Sequence, residues 1–465
     1  MAAPPNILLI VLDALREDTL ADALEVPGRC LRAPVCIAGA PWTLPSCTSI
    51  VTGTPATRHG RYWWTSDRRA TSLVTSLPQT YRKVGFVNNN MLREGSGIDE
   101  GFDSWTYLHD HEEPFRQALR QIKRAKKGKP LFLLLHSNMS HDYYLPPAAK
   151  IHTQVFPGDE EPRVLNQRVI SWKNTTPAER AAVPRTYEAC ARQLIERVRA
   201  VLDAVRRRDD FVTCITADHG EGLDYERGRL HHGGRLHQDL LHVPLYFDLP
   251  SSLPEQSRRL AETLAARPIS GIDILPTLLT LAGQTSGADN HVPGDGDSGR
   301  SRVLVAEDRR YLYFRDRFRL NLHGRYKNMS RQERERNEAI TEELAEPTCT
   351  RAFVRYPDKL TVTELHLQRN GSSPGQIRQR LLDLGAQLPG LPALALQGSR
   401  LLAFSHHDLA ADPAEDHNLL ADVTSWPQAL LDGSWDGTVT MPGDGGDVGL
   451  ATLLDGCEPV GATRS

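Results

Sequence analysis

No stretch of this sequence is apolar for long enough to cross a membrane: the runs Ile7 to Leu12 and Leu131 to Leu135 fall far short of the about 18 uninterrupted residues a spanning helix needs. Met1 to Pro5 carry no basic stretch, and the run behind them is too short for the apolar core of a secretion signal. The expectation is a mature, cytoplasmic start and no membrane partner. An excess of one charge is missing too. Lys and Arg total 55 against 58 Asp and Glu, a formal net charge of -3, so no global field draws the chain to nucleic acid or an anionic surface. Any anionic substrate must be held locally. The basic cluster Lys123 to Lys129 is short and lacks interleaved aromatics, and reads as a solubilising helix end rather than a nucleic-acid face. The seven cysteines are scattered with no CxxC pair, which argues against a zinc-finger or disulfide scaffold and for reduced, mostly structural thiols. Nothing in the pattern speaks to oligomeric state.

What is present is a chain of 465 residues, 40% hydrophobic, enough to bury a large core. Asn6 to Leu12 is a continuous aliphatic run that ends abruptly at Asp13, the mark of a strand buried on both faces. Gly85 to Asn88, Leu131 to His136 and Phe211 to Thr216 repeat that grammar. Strands alternating with helical stretches imply a largely parallel sheet covered on both faces, with ligands bound at the carboxyl ends of its strands. Asp13, His141, Asp218 and His219 fit that rule. The long helix is expected over Pro184 to Arg208, opening on its proline. Composition shifts to Gly, Ser, Asp and Asn after Gly283, dividing the chain into a domain over 1–285, a smaller subdomain over 300–420 and a loosely held tail over 421–465.

Four segments carry chemistry. Thr43-Leu-Pro-Ser puts a hydroxyl at the start of a helix, where free amides favour an anion; a threonine hydroxyl needs a cation to stabilise its alkoxide. Asp218-His219-Gly-Glu follows an apolar strand and offers a carboxylate and an imidazole from one sharp turn, although a surface turn with a capping Asp would read the same. His231-His232-Gly-Gly, with His237 beyond, sets imidazoles beside glycines that permit close approach to a ligand, or forms a plain polar loop before a strand. His141, with Tyr143 and Tyr144, is a candidate contact to the leaving group. Cys47 lies near the proposed anion site, where a thiolate would be stabilised, but reads more simply as a small packing residue.

Taken in order, Asn-Ile-Leu-Leu-Ile-Val-Leu-Asp13, Thr43-x-Pro-Ser with Thr-Gly and His-Gly, Asp218-His219-Gly-Glu, and His232-Gly with Val-Pro-Leu resemble the sulfatase branch of the alkaline phosphatase superfamily. Gly101-Phe-Asp, Asp273-Ile-Leu-Pro-Thr and Asp408 to Glu415 extend the resemblance over most of residues 5–420. It implies an α/β/α sandwich with a mostly parallel central sheet and a smaller C-terminal subdomain. It also implies that Thr43 is the nucleophile, that Asp13, Thr43, Asp218 and His219 surround a metal, and that His141 and His232 contact substrate.

The sequence departs from sulfatases proper, which carry Cys or Ser at the nucleophile position and Arg four residues later. Thr43 and Cys47 stand there, and formylglycine cannot form at threonine. A second Asp and an Asn, which would complete an all-oxygen calcium site, are replaced by Ala14 and His219. A nitrogen in place of an oxygen favours manganese or zinc, with calcium still open, as the one divalent ion. The expected activity is hydrolysis of a phosphoester, phosphonate ester or sulfate ester. The alternatives are a soluble phospho-group transferase and a catalytically silent anion-binding relative, which the intact ligand set counts against. The partner in each case is a small anionic ester.

Overall fold

In a computed structural model of the chain, the structure describes residues 4–20, 29–62, 70–126, 128–143, 176–224, 229–233, 235–284, 304–308, 349–366, 393–397, 400–416, 438–440 and 447–449. The chain divides into two compact units, 1–233 with 239–300, and 234–238 with 301–465. The expected tail over 421–465 lies outside the described residues apart from two short paired strands, Thr438–Thr440 and Asp447–Gly449.

The first unit is built on a seven-stranded sheet. Its order is Cys30–Arg32, Leu245–Asp248, Phe211–Ala217, Asn6–Leu12, Leu131–Ser137, Arg82–Val87 and Ser104–Tyr107. Asn6–Leu12 pairs in parallel with both Leu131–Ser137 and Phe211–Ala217, and Arg82–Val87 is parallel to its two neighbours. Leu245–Asp248 runs antiparallel to the strands on either side of it. Every residue of the three central strands is buried, which is why they are written as largely apolar runs with no alternation of apolar and charged residues. Asn6 locks the amino ends together: its side-chain carbonyl accepts from the Leu131 N–H at 2.8 Å.

Helices pack on the sheet in two groups, Glu113–Arg124 with Pro177–Arg208, and Thr43–Thr52 with Glu255–Ala265 and Ile274–Leu281, giving the α/β/α sandwich. The long helix begins at Pro177 and carries Pro184 inside it, where the sequence suggested a start. Pro177 is the proline suited to the first turn, and a proline further in removes one backbone hydrogen bond. Tertiary anchoring offsets that loss: the Tyr187 hydroxyl, one turn on, donates to the Ala14 carbonyl at 2.8 Å and accepts from the Arg16 N–H at 2.9 Å. Arg82–Val87 also begins earlier than its apolar residues, because Arg82 and Lys83 pair with Leu131 and Phe132 through backbone alone.

The second unit contains a five-stranded antiparallel sheet in the order Leu304–Asp308, Cys349–Arg355, Asp358–His366, Arg400–Asp408 and Ala393–Gln397. Lys359, fully buried, is held by Glu415 at 2.7 Å and donates to the Leu236 carbonyl, and the Gln238 N–H adds a 2.7 Å bond to the same carboxylate. A buried ammonium is tolerated only when paired and hydrogen-bonded in this way.

Candidate active site

Three of the central strands stop at the same edge, and the residues that follow them meet. Asp13 follows Leu12, Asn89 lies two residues beyond Val87, and Asp218 and His219 follow Ala217. Thr43 opens the helix Thr43–Thr52, which the Ser46 hydroxyl ties to the Asp218 carbonyl at 2.5 Å. Ser140 does the same for Asp13, donating to its carbonyl at 2.5 Å. Gly220 is required by a close crossing: a Cβ there would lie 2.0 Å from the Asp239 carbonyl oxygen.

Thr43 Oγ1 lies 3.4 Å from Asp13 Oδ2 and 3.3 Å from His219 Nε2. His219 Nε2 is 3.4 Å from Asp13 Oδ1 and 3.7 Å from Asp218 Oδ2. All four side chains are buried. His219 Nδ1 sits 2.8 Å from the Gly220 carbonyl, which fixes the tautomer and leaves Nε2 a lone pair facing the carboxylates. Asp218 Oδ1 accepts from the Ala14 and His219 amides at 3.2 and 2.9 Å, so Oδ2 is the oxygen free to ligate.

Two carboxylates this deep and this close are unfavourable without a cation. Burial and the neighbouring Asp218 raise the Asp13 carboxyl above its usual range, whereas in Asp218 burial is outweighed by the facing His219 and His136 imidazoles. Asp13 Oδ1 has no hydrogen-bond partner, and single ligand atoms of Asp13, Asp218 and His219 lie within 4.8 Å of one another. A divalent ion between them would satisfy the orphaned oxygen and neutralise the pair, so the residues present fit such an ion.

His141 and His232 stand beside this cluster. Their rings are 4.8 Å apart, and His232 lies 4.6 Å from the His219 ring. His232 Nδ1 is held by Glu221 at 3.1 Å and His141 Nδ1 by Asp142 at 2.8 Å. Although burial opposes it, Asp13 and Asp142 push the His141 imidazole up to about 10, while burial beside His219 and His141 brings His232 down to about 3 despite Glu221. One imidazole is thus charged and the other neutral across the ordinary pH range, in the absence of an ion. His231, at φ 57°, turns the chain into His232, and Gly233 donates to the Pro41 carbonyl at 2.7 Å. Tyr144 lies outside the described residues.

Asn89, Asn138 and His136 belong to the centre but were not singled out from the sequence. Asn89 Nδ2 lies 2.7 Å from Asp13 Oδ2, 3.5 Å from Thr43 Oγ1 and 2.9 Å from Asn138 Oδ1. His136 Nε2 is 3.5 Å from Asp13 Oδ2. The strand-end rule that pointed to Asp13 applies to Asn89 and Asn138, whereas His136 lies within the strand Leu131–Ser137. Cys47 directs its thiol at Asp218 Oδ2, 3.7 Å away; burial, with Asp218 and Asp13 alongside, pushes that thiol well above its ordinary range and argues against a free thiolate nucleophile.

Residues 5–284 match the sulfatase family model. The chain belongs to the sulfatase family. Among solved structures, a protein in complex with its substrate D-glucosamine-2-N,6-O-disulfate superposes with a TM-score of 0.60 at 13% identity, covering 97% of this chain and 98% of that one. The phosphonate monoester hydrolase of Agrobacterium radiobacter superposes with a TM-score of 0.55 at 15% identity, covering 92% and 94%. This sulfatase-family chain is also 28% identical over 300 residues to the low-salt glycan biosynthesis sulfotransferase Agl7 of Haloferax volcanii, a match spanning 62% of this chain and 63% of that protein. The α/β/α sandwich is the family's, and the family's chemistry concerns sulfate and phosphate esters. Among the described residues, no helix is long and apolar enough to cross a membrane.

Proposed function

We propose that the protein is a metal-dependent hydrolase of phosphoester, phosphonate ester or sulfate ester bonds, with Thr43 as nucleophile. The observation that carries this reading is the position of Thr43 Oγ1, at the first residue of a helix and 3.3 to 3.4 Å from His219 Nε2 and Asp13 Oδ2. Asp13, Asp218 and His219 would hold the ion beside that oxygen, and a divalent ion there supplies Lewis acidity that stabilises the threonine alkoxide. One imidazole in place of an oxygen favours manganese or zinc over calcium.

The chain's own residues do the rest. Thr43 gives up its hydroxyl proton to solvent, and Oγ1 attacks phosphorus or sulfur as the bond from that atom to the leaving oxygen breaks, leaving the group on the threonine. Helix-start amides face the substrate's non-bridging oxygens. His141, held by Asp142, would protonate the leaving oxygen, and His232, held by Glu221, would take a proton from the water that releases the group. Transfer to an acceptor hydroxyl in place of water is the second reading, favoured by the similarity to a protein named as a glycan sulfotransferase.

The test is turnover by protein loaded separately with manganese, zinc and calcium against aryl phosphate monoester, phosphodiester, phosphonate and sulfate substrates, with mass spectrometry of the Thr43 peptide in quenched reactions. A phosphorylated or sulfated Thr43 is expected. An active enzyme that carries the group on another residue would overturn the nucleophile assignment, and a protein that binds no divalent ion would overturn the mechanism.

A further inference from the structure

A second group of ligand-type side chains lies behind the first. Cys47 comes from the second turn of the Thr43–Thr52 helix and His136 from the end of the Leu131–Ser137 strand; both approach Asp218. Cys47 Sγ is 3.7 Å and His136 Nε2 is 4.0 Å from Asp218 Oδ2, and single ligand atoms of the three residues all lie within 4.8 Å of one another. His136 is 1% exposed, yet neither of its ring nitrogens makes a hydrogen bond. Its Nε2 faces the carboxylates of Asp13 at 3.5 Å and Asp218 at 4.0 Å without bonding either, and buried polar groups left unbonded in native proteins commonly mark a water or ion. Packing accounts for the burial of Cys47. It does not account for the sulfur's approach to a carboxylate or for the bare imidazole beyond it.

We propose that Cys47 Sγ, His136 Nε2 and Asp218 Oδ2 form a second, thiolate-containing metal site, with Asp218 shared between the two ions. Ligand lengths of about 2.3 Å for Zn–S and 2.0 to 2.2 Å for Zn–N and Zn–O put tetrahedral neighbours roughly 3.3 to 3.6 Å apart. Cys47 Sγ, 3.7 Å from Asp218 Oδ2, is already near that spacing, while the His136 ring, 4.0 Å from the same oxygen, has to move inward by roughly half an ångström. A thiolate and an imidazole select zinc or a similarly borderline ion and disfavour calcium and magnesium. Binding breaks the Cys47 S–H bond, the electron pair staying on sulfur to form the metal–sulfur bond and the proton passing to solvent. Cys47 stands where sulfatases proper carry an arginine four residues after the nucleophile, so one fixed positive charge beside Asp218 would be exchanged for a bound cation. The inference rests on the proposed function only in that both sites use Asp218.

The test is metal stoichiometry and cobalt spectroscopy on the full chain. Zinc-loaded, dialysed protein should hold two equivalents, and the cobalt form should show a near-ultraviolet thiolate-to-cobalt charge-transfer band. Cys47→Ser should remove that band and one equivalent, His136→Gln should weaken the same equivalent, and Asp13→Asn should lose the other equivalent while keeping the band. One equivalent and no band in the unmodified protein would overturn the second site whether or not any variant folds. So would a band that survives in Cys47→Ser. If the unmodified protein holds only the thiolate-bound equivalent, and Asp13→Asn leaves it unchanged, the first-site reading falls and this one stands.

Discussion

His219 Nε2 and Thr43 Oγ1 stand 3.3 Å apart although 176 residues separate them in the chain. The separation reflects how a parallel sheet works: Asp13 and Asp218 terminate neighbouring strands in register, Leu12 beside Ala217, and the helix that starts at Thr43 caps the gap between them. The residue before the helix, Trp42, makes no side-chain cap, and the Thr43 hydroxyl turns to Asp13, His219 and Asn89.

Replacement of that hydroxyl therefore separates chemistry from stability. Thr43→Ala is expected to lower kcat by at least about a thousandfold, while the stability cost stays near 1 kcal/mol, the scale of losing one buried hydrogen-bonding group. Thr43→Ser keeps the oxygen and should retain much of the rate. Steady-state kinetics beside urea denaturation reads both quantities. An Ala variant that keeps its kcat would exclude Thr43 as the nucleophile.

A second expectation concerns the turn that presents His219. Gly220 N donates to the Leu240 carbonyl at 2.8 Å, and a Cβ on Gly220 would meet the Asp239 carbonyl oxygen at 2.0 Å, with backbone on both sides and no flexible side chain to yield. Gly220→Ala should cost about 1 to 3 kcal/mol as the turn moves away from the short helix Gln238–Leu241, and should weaken metal binding by displacing Asp218 and His219 with the turn. Denaturation and a metal titration on the same variant would show it. Unchanged values for both would show that the crossing does not depend on a glycine.

The parts of this site that were legible in the sequence are those where chemistry and sheet grammar coincide. Asp13 breaks an aliphatic run, and Asp218 and His219 stand together directly after one. Asn89 and Asn138 were not legible, because an amide after a strand is ordinary turn chemistry until its partners are known. His136 was hidden for another reason: it lies inside the strand Leu131–Ser137, where a histidine reads as the polar end of a buried run. The long helix was misjudged at its start because a proline is a helix-start signal from sequence alone, and the Tyr187 anchor that sustains the helix through Pro184 is a tertiary contact. The strands of the second unit are antiparallel and were not read individually from the sequence.

The last expectation follows from the His141 and Asp142 pair, whose side chains are 19% and 14% exposed and therefore only weakly screened. In the metal-free protein, the His141 imidazole is raised from 6.5 to about 10, with Asp13 and Asp142 outweighing its burial. Its stabilising contribution is thus fully present below about pH 6.5 and is lost as pH rises through about 10. The Asp142 carboxyl is lowered from 3.8, His141 overcoming the effect of burial, so its contribution is present above that value and is lost as pH falls below it. Asp142→Asn removes the charge pair but keeps a hydrogen-bonding side chain of the same shape. The stability lost in this variant should form a plateau of about 1 to 3 kcal/mol between pH 4 and 6.5, shrink towards pH 10, and shrink again in acid. Urea denaturation of metal-free protein across that range measures it directly. A difference independent of pH would show that Asp142 positions His141 through hydrogen bonding alone, with no contribution from its charge.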